Sequence, residues 1–477
     1  MHGYRGVEQR RTGGDMAKRQ AITQEERYEQ MMHEPVQTLI PRFAIPSIVS
    51  MLISAVYSMA DTFFVSQIGT SASAAVGIIF SLMAIFQAVA FTIGMGSGNM
   101  IARFLGQQDV ETAERYAALG YFTELIVGTV LGLLGLLNIE KLVYMLGSTR
   151  TIAPYAIDYV RYILLGTPFL MCSFGINNML RFQGNSFYAM IGIGFGGVLN
   201  IILDPVLIFG LHMGISGAAA ATAVSQIISF VILSCQCNMM PACLPIRFRN
   251  FRPTRRMYRN ILHIGFPSLA RQGISSVSSI IMNFAAHPYG DATIAAIAIV
   301  MRVAMFINST IIGFGQGFQP VCGYNYGARN YKRVAEAYYF SLRVCFMILL
   351  SFAVLAFAFA EPIVTVFRRE DAEVIRIGTL ALRLQALTIP LSAQITMANM
   401  FSQTTGYGLK ATLVASLRQG ICLIPVLLIL PRAIGLLGLQ AAQPISDSFA
   451  AVIAFFVTRS ILRELKRKQA AQEAGLV

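Results

Sequence analysis

Charge is what this sequence has least of: Asp, Glu, Lys and Arg make up 13% of its 477 residues, while 55% are apolar and the mean hydropathy is +0.61. So little polar surface excludes an ordinary soluble domain and makes a lipid bilayer the expected solvent. Residues 62–102 contain no charged side chain, which leaves room for most of two spans of about 20 residues each. A turn at Gly69-Thr70-Ser71 would separate them. The polar stretch 1–35 has no apolar core, so it does not read as a secretory signal peptide but as a cytoplasmic tail. Paired Asp-rich metal motifs and His-Glu-x-x-His are missing too, which removes the usual grounds for an intramembrane enzyme.

Cysteine is sparse and scattered. Cys172, Cys235, Cys322, Cys345 and Cys422 lie inside apolar runs, where a thiol behaves as a small hydrophobe, so no disulfide framework is expected. Cys235, Cys237 and Cys243 have loose metal-like spacing but no neighbouring histidine, so no zinc site is expected. The net charge of +14 does not point to nucleic acid, because the basic residues flank apolar spans. Arg247, Arg249, Arg252, Arg255, Arg256 and Arg259 cluster at mid-chain, and Arg463, Lys466, Arg467 and Lys468 close the chain. Both segments are expected in the cytoplasm.

Apolar runs fall near 38–66, 74–104, 116–138, 153–180, 188–210, 216–240, 258–287, 292–322, 334–359, 374–403, 409–431 and 438–461. This predicts twelve transmembrane helices and no strands, an all-α integral membrane fold. The Lys/Arg-bearing connections at 103–115, 181, 247–259, 329–333 and 410 then share one side with both termini. The exception is the loop near 360–376, where Arg368, Arg369 and Arg376 are interspersed with Glu361, Glu370, Asp371 and Glu373.

The most informative feature is an internal repeat. Ile45-Pro46-Ser47 returns as Phe266-Pro267-Ser268, an offset of 221 residues that also carries Gly69 to Gly290, Gly94 and Gly96 to Gly315 and Gly317, and Gly106 to Gly327. The same offset takes Gly214 and Gly217 to Gly435 and Gly438. Six spans per copy is an even number, so both copies enter from the same side and are related by an axis along the membrane normal. The expected organisation is a tail at 1–35, an N-lobe at 36–244, a linker at 245–257, a C-lobe at 258–463 and a second tail at 464–477. Substrate would pass between or within lobes that rock.

A carboxylate in a span costs about 2.5–3.5 kcal/mol at the bilayer centre, so it marks a polar cavity and a cation or proton site. Asp61 follows Pro46 on the first span, where the proline withholds a donor and permits a bend. The plainer reading has Asp61 meeting water at the end of its helix. Asn200 and Asp204 stand four apart, on one helix face, ahead of Pro205. Their oxygens suit Na⁺ or a shared proton, and the alternative is that Asp204 caps backbone freed by the proline. Thr222 follows among Gly217 and four alanines, as a ligand or as a packing residue.

The offset maps Asp61 onto Met282, so the C-lobe does not repeat this acid. Tyr57, Arg271, Gln272, Arg302, Gln385, Gln394, Asn399, Arg418 and Asp447 are candidate substrate or coupling contacts, with interhelical hydrogen bonding as the alternative. Twenty-three methionines, Met51 and Met59 among them, offer a soft apolar lining.

These motifs resemble the multidrug and toxic compound extrusion (MATE) transporters over about residues 35–462. The likeness rests on Pro46-Ser47-Ile48-Val49-Ser50-Met51-Leu52 leading to Tyr57-Ser58-Met59-Ala60-Asp61, on Gly94-Met95-Gly96-Ser97-Gly98, on Asn200 to Pro205, on Gly214 to Thr222, and on Gln443-Pro444-Ile445-Ser446-Asp447. The resemblance implies two six-helix lobes in a V and an antiport in which Na⁺ or H⁺ entry drives export of amphipathic, often cationic compounds. Carried over, the N-lobe cation site would be Asp61, Asn200, Asp204 and Thr222, with Pro46 as the bend; these four would hold Na⁺ if Na⁺ is the coupling ion. Buried acids on the seventh and tenth helices, found in the NorM-like branch, are absent, which places the chain nearer the MepA-like and DinF-like members. No cofactor beyond the coupling ion is expected. The expected setting is the cytoplasmic (inner) membrane, as a monomer among lipids, with no nucleic-acid partner.

A lipid-linked oligosaccharide flippase of the same superfamily stays open, since Arg271, Arg302 and Arg418 would suit a pyrophosphate head group. A major-facilitator transporter would carry Gly-x-x-x-Asp-Arg, which Arg103 to Arg115 lacks. A channel would not need the two-lobe repeat.

Overall fold

The structure is a computed structural model that describes residues 23–368 and 371–475. The first 22 residues of the expected tail, together with Arg369 and Glu370, lie outside the described residues. Among the described residues the protein is helical throughout, without strands. The spanning helices of the first lobe are α1 (Val36–Ser66), α2 (Thr70–Gly106), α3 (Val110–Leu137), α4 (Ala153–Phe182), α5 (Ser186–Gly210) and α6 (Gly214–Met239). Those of the second are α7 (Arg255–Ala286), α8 (Asp291–Gly327), α9 (Tyr331–Ala358), α10 (Ala372–Thr388 with Leu391–Thr404), α11 (Gly408–Ile434) and α12 (Leu436–Glu473).

Ten of these helices are long and apolar enough to cross a membrane, and α10 makes an eleventh although it bends by 55°. The bend falls at Ile389-Pro390, where the proline withholds a backbone donor. The twelfth, α7, is 32 residues long but carries Arg271, Gln272, Ser275 and Ser279, which face a cavity instead of lipid. Hydropathy alone therefore undercounts it. The repeat shows in the element ends: the 221-residue offset carries Thr70 onto Asp291, Gly106 onto Gly327, Val110 onto Tyr331 and Leu137 onto Ala358.

Among the described residues, three short α-helices do not span. Gln24–His33 lies in the stretch expected as a plain tail. It is started by a reciprocal cap in which the Glu26 amide donates to the Thr23 hydroxyl and the Thr23 amide to the Glu26 carboxylate. Its Arg27 donates to Asn185 Oδ1 at 3.2 Å, which ties the segment to the turn between α4 and α5. Ile139–Met145 and Ala360–Phe367 fill the connections after α3 and α9. The linker between Met239 and Arg255 is anchored by Phe248 and Phe251, whose rings pack edge-on and tilted against Phe122 of α3 with centroids 5.3 and 5.4 Å away.

The lobes meet at the end of the bundle where the described residues begin and end. There α2 faces α7 and α8 faces α1 and α2. Side chains would keep these helices apart, and glycine lets them touch. A Cβ on Gly106 would collide with the Tyr324 carbonyl, and one on the repeat-related Gly327 would collide with that of Arg103. Hydrogen bonds cross the same seam: Arg103 donates to the Thr404 carbonyl at 2.6 and 3.1 Å, Asn99 to that of Gln403 at 3.3 Å, and Arg181 to Gln316. Gly94–Ala102 and Gly313–Tyr324 are continuously buried here, whereas the opposite halves of α1 and α8 are mostly half-exposed. The lobes are therefore sealed at the termini and part away from them.

Candidate functional site

The N-lobe site is assembled from α1, α4, α5 and α6. Asn200 and Asp204 project from one face of α5, and Asn200 Nδ2 donates to Asp204 Oδ1 and to Thr222 Oγ1 of α6, each at 3.4 Å. Pro205 breaks the helical ladder directly after Asp204, and residues Val206–Gly210 continue as a π-turn, a device that often marks functional positions. Gly217 lets α6 approach the Leu207 backbone closely, which brings Thr222 within reach. Asp61 of α1 is 4% exposed, so it does not meet bulk water. Asp204 is fully buried, and its side chain bonds to Asn200 and caps no backbone group.

Three oxygens, Asp61 Oδ1, Asn200 Oδ1 and Asp204 Oδ2, are buried without a hydrogen-bond partner. Buried acceptors left this way cost about 1–3 kcal/mol each, more for charged ones. A proton or a small cation satisfies such a donor-free set, because all the orphaned atoms are acceptors. Tyr57 borders Asn200 and Thr222 and packs on Gly197. The structure thus gathers Asp61, Asn200, Asp204, Thr222 and Tyr57 in one place. Pro46 lies inside α1, which runs helical through it.

Sequence reasoning missed two residues. Tyr159 of α4, 1% exposed, sits beside Asp61, Asp204 and Thr222, and nothing in its surrounding sequence singles it out. Glu124 of α3 is fully buried over Gly175 with both carboxylate oxygens unpartnered. An acid within the apolar run 116–138 was the available signal.

The C-lobe holds a cavity of about 480 Å³ that brings together Arg271, Gln272, Gln385, Asn399 and Arg418. Arg418 lies in a second π-turn, Leu417–Ile421, whose carbonyls accept from Ser446 and Ser278. Its guanidinium pairs with Asp447 at 2.9 Å, and Asp447 also accepts from Gln385 at 3.2 Å and Gln443 at 2.8 Å. Breaking a buried pair of this kind typically costs about 3–5 kcal/mol, because the survivor is stranded. The structure does not bring Arg302 or Gln394 to this cavity. Arg302 is exposed, and Gln394 bonds to Tyr338 and Thr458.

A sequence model of the MatE family matches residues 46–206 and 267–429, the second match starting 221 residues after the first. The multidrug export protein MepA of Staphylococcus haemolyticus (strain JCSC1435) is 26% identical over 426 residues, covering 89% of this chain and 93% of the relative. MepA of Staphylococcus aureus (strain MRSA252) is likewise 26% identical over 427 residues, with the same coverage. A solved outward-facing multidrug resistance MATE family transporter of the MOP superfamily superposes with a TM-score of 0.87 at 27% identity, over 92% of this chain and 98% of its own.

Proposed function

The chain belongs to the MatE family of transporters, and we propose that it is a secondary active exporter of amphipathic small molecules, driven by exchange for Na⁺ or H⁺ at the Asp61 site. The observation that carries this reading is the convergence of three unpartnered buried oxygens from α1 and α5. The multidrug export relatives support the cargo class. Asp61, Asn200, Asp204 and Thr222 bind the ion; no other cofactor takes part.

We place the termini in the cytoplasm and the protein in the inner membrane as a monomer, a reading supported by the Lys/Arg-rich connections at that end. The conformer is then outward-facing. Helix α1 connects the ion site to the seal, because it carries Asp61 towards one end and, flanking Pro46 on either side, Ala44 against Gly317 and Ile48 against Gly313 of α8. Neutralising or coordinating Asp61 changes what α1 must satisfy, and Pro46 gives that helix a place to bend. The change reaches the seal and lets the lobes rock.

Ion binding to the native state raises its stability by mass action. Na⁺ titrated against purified protein at fixed ionic strength is therefore expected to raise the unfolding midpoint if Na⁺ is the coupling ion, and a fall in pH to do so if it is H⁺. The rise disappears in Asp61→Asn/Asp204→Asn. A wild type and double variant that respond alike to both ions would sink the site assignment.

A further inference from the structure

We propose that the C-lobe cavity is a binding site for the anionic group, carboxylate or phosphate, of an amphipathic small molecule, with the Arg271 guanidinium as its charged partner. The two arginines that line the cavity are not equivalent. Arg418 is neutralised by Asp447 and further held by Asn308 at 3.0 Å. Arg271 makes no hydrogen bond or ion pair with any described residue and faces the same space. No carboxylate lines the cavity, and Asp447 is fully buried behind its partner, so two guanidinium charges stand against one acid. A guanidinium does not deprotonate in proteins, so this positive field persists at any working pH.

A bare cation at membrane depth is costly and is expected to face a polar cavity and a partner. The described residues supply none for Arg271, whereas a bound carboxylate or phosphate would accept its parallel N–H groups. The rest of the lining suits an amphipathic molecule. Gln272, Ser275 and Ser279 offer hydrogen bonds along α7, and Met282, Val300 and Met305 form an apolar wall. The volume of about 480 Å³ is that of a site for a drug-sized compound. The sign is opposite to that of the N-lobe site with Asp61 and Asp204, so a simple cation is disfavoured here. The inference rests on the exporter reading for its part in transport, yet the binding it describes does not require transport.

Dansylglycine and dansylglycinamide differ only in the carboxylate, and both report binding by fluorescence. In purified full-length protein, the wild type is expected to bind dansylglycine about tenfold or more tightly than the amide, as a charge-assisted hydrogen bond would give. Arg271→Gln should lower the affinity for dansylglycine to that for the amide and leave amide binding unchanged, which also shows that the variant is folded. Arg271→Lys should keep part of the preference. Displacement of dansylglycine by dihexanoyl phosphatidylglycerol would assign the anion to a lipid phosphate, and no displacement would assign it to a soluble carboxylate. Equal binding of both probes to the wild type, or a preference that survives in Arg271→Gln, would overturn the proposal. Neither result bears on ion coupling, and loss of ion coupling leaves the preference in place.

Discussion

Asp204→Asn is expected to abolish gradient-driven export while leaving the protein folded and inserted, and Asp61→Asn to do the same. Asparagine is nearly isosteric with aspartate but can neither take up a proton nor offer a charge to Na⁺. Packing around α5 is therefore preserved while the link between ion and cargo is cut. Coupling between sites is typically worth about 1–3 kcal/mol in binding, and with it removed the imposed gradient should no longer raise the export rate. The basal, gradient-free exchange should be little changed. The check is ion-stimulated efflux alongside expression level and unfolding midpoint for each variant. Export that keeps its response to the gradient in both variants would remove Asp61 and Asp204 from the mechanism.

The second large effect concerns the seal. Gly106→Leu and Gly327→Leu each push a side chain into the backbone of the opposite lobe, at Tyr324 and Arg103. Overpacking of this kind costs about 1–3 kcal/mol. That cost falls on the sealed conformer alone, since the contacts do not exist once the lobes part at this end. The equilibrium should move away from the sealed form by about one to two factors of ten. Cys322 offers a built-in reporter, because it is fully buried next to Gly323, which packs on Ala102 across the seam. In a variant that keeps Cys322 as the single cysteine, either leucine substitution should speed labelling by a maleimide at least tenfold. Unchanged labelling together with normal transport would show that glycine contact is not what holds the lobes closed.

The architecture was legible because lipid imposes a simple code. Long charge-free runs marked the spans, and the 221-residue offset proved to be a structural repeat with helix ends at related positions. Proline could be read as a bend in principle, but the sequence does not say which proline acts. Helix α1 continues through Pro46, while α10 breaks at Pro390. Hydropathy failed where a helix faces a cavity, as α7 does through Arg271 and Gln272. Among site residues, acids and their i+4 partners stood out because their burial in a span needs a reason. Tyr159 did not, since a tyrosine at membrane depth is unremarkable until its neighbours are known. The pairing of Arg418 with Asp447 joins residues 29 apart on two helices, and only the packing of α11 on α12 discloses it. That pairing leaves Arg271 as the cavity's cation without a partner among the described residues, which is the ground for proposing an anion-bearing ligand there.

The antiport account is tested most directly in proteoliposomes loaded with a fluorescent amphipathic compound and given an imposed Na⁺ gradient, an imposed pH gradient, or neither. One of the two gradients is predicted to drive the compound against its own concentration gradient, and collapsing that gradient with an ionophore should stop the movement. Transport that proceeds equally with no gradient, or only downhill under all three conditions, would contradict ion-coupled export.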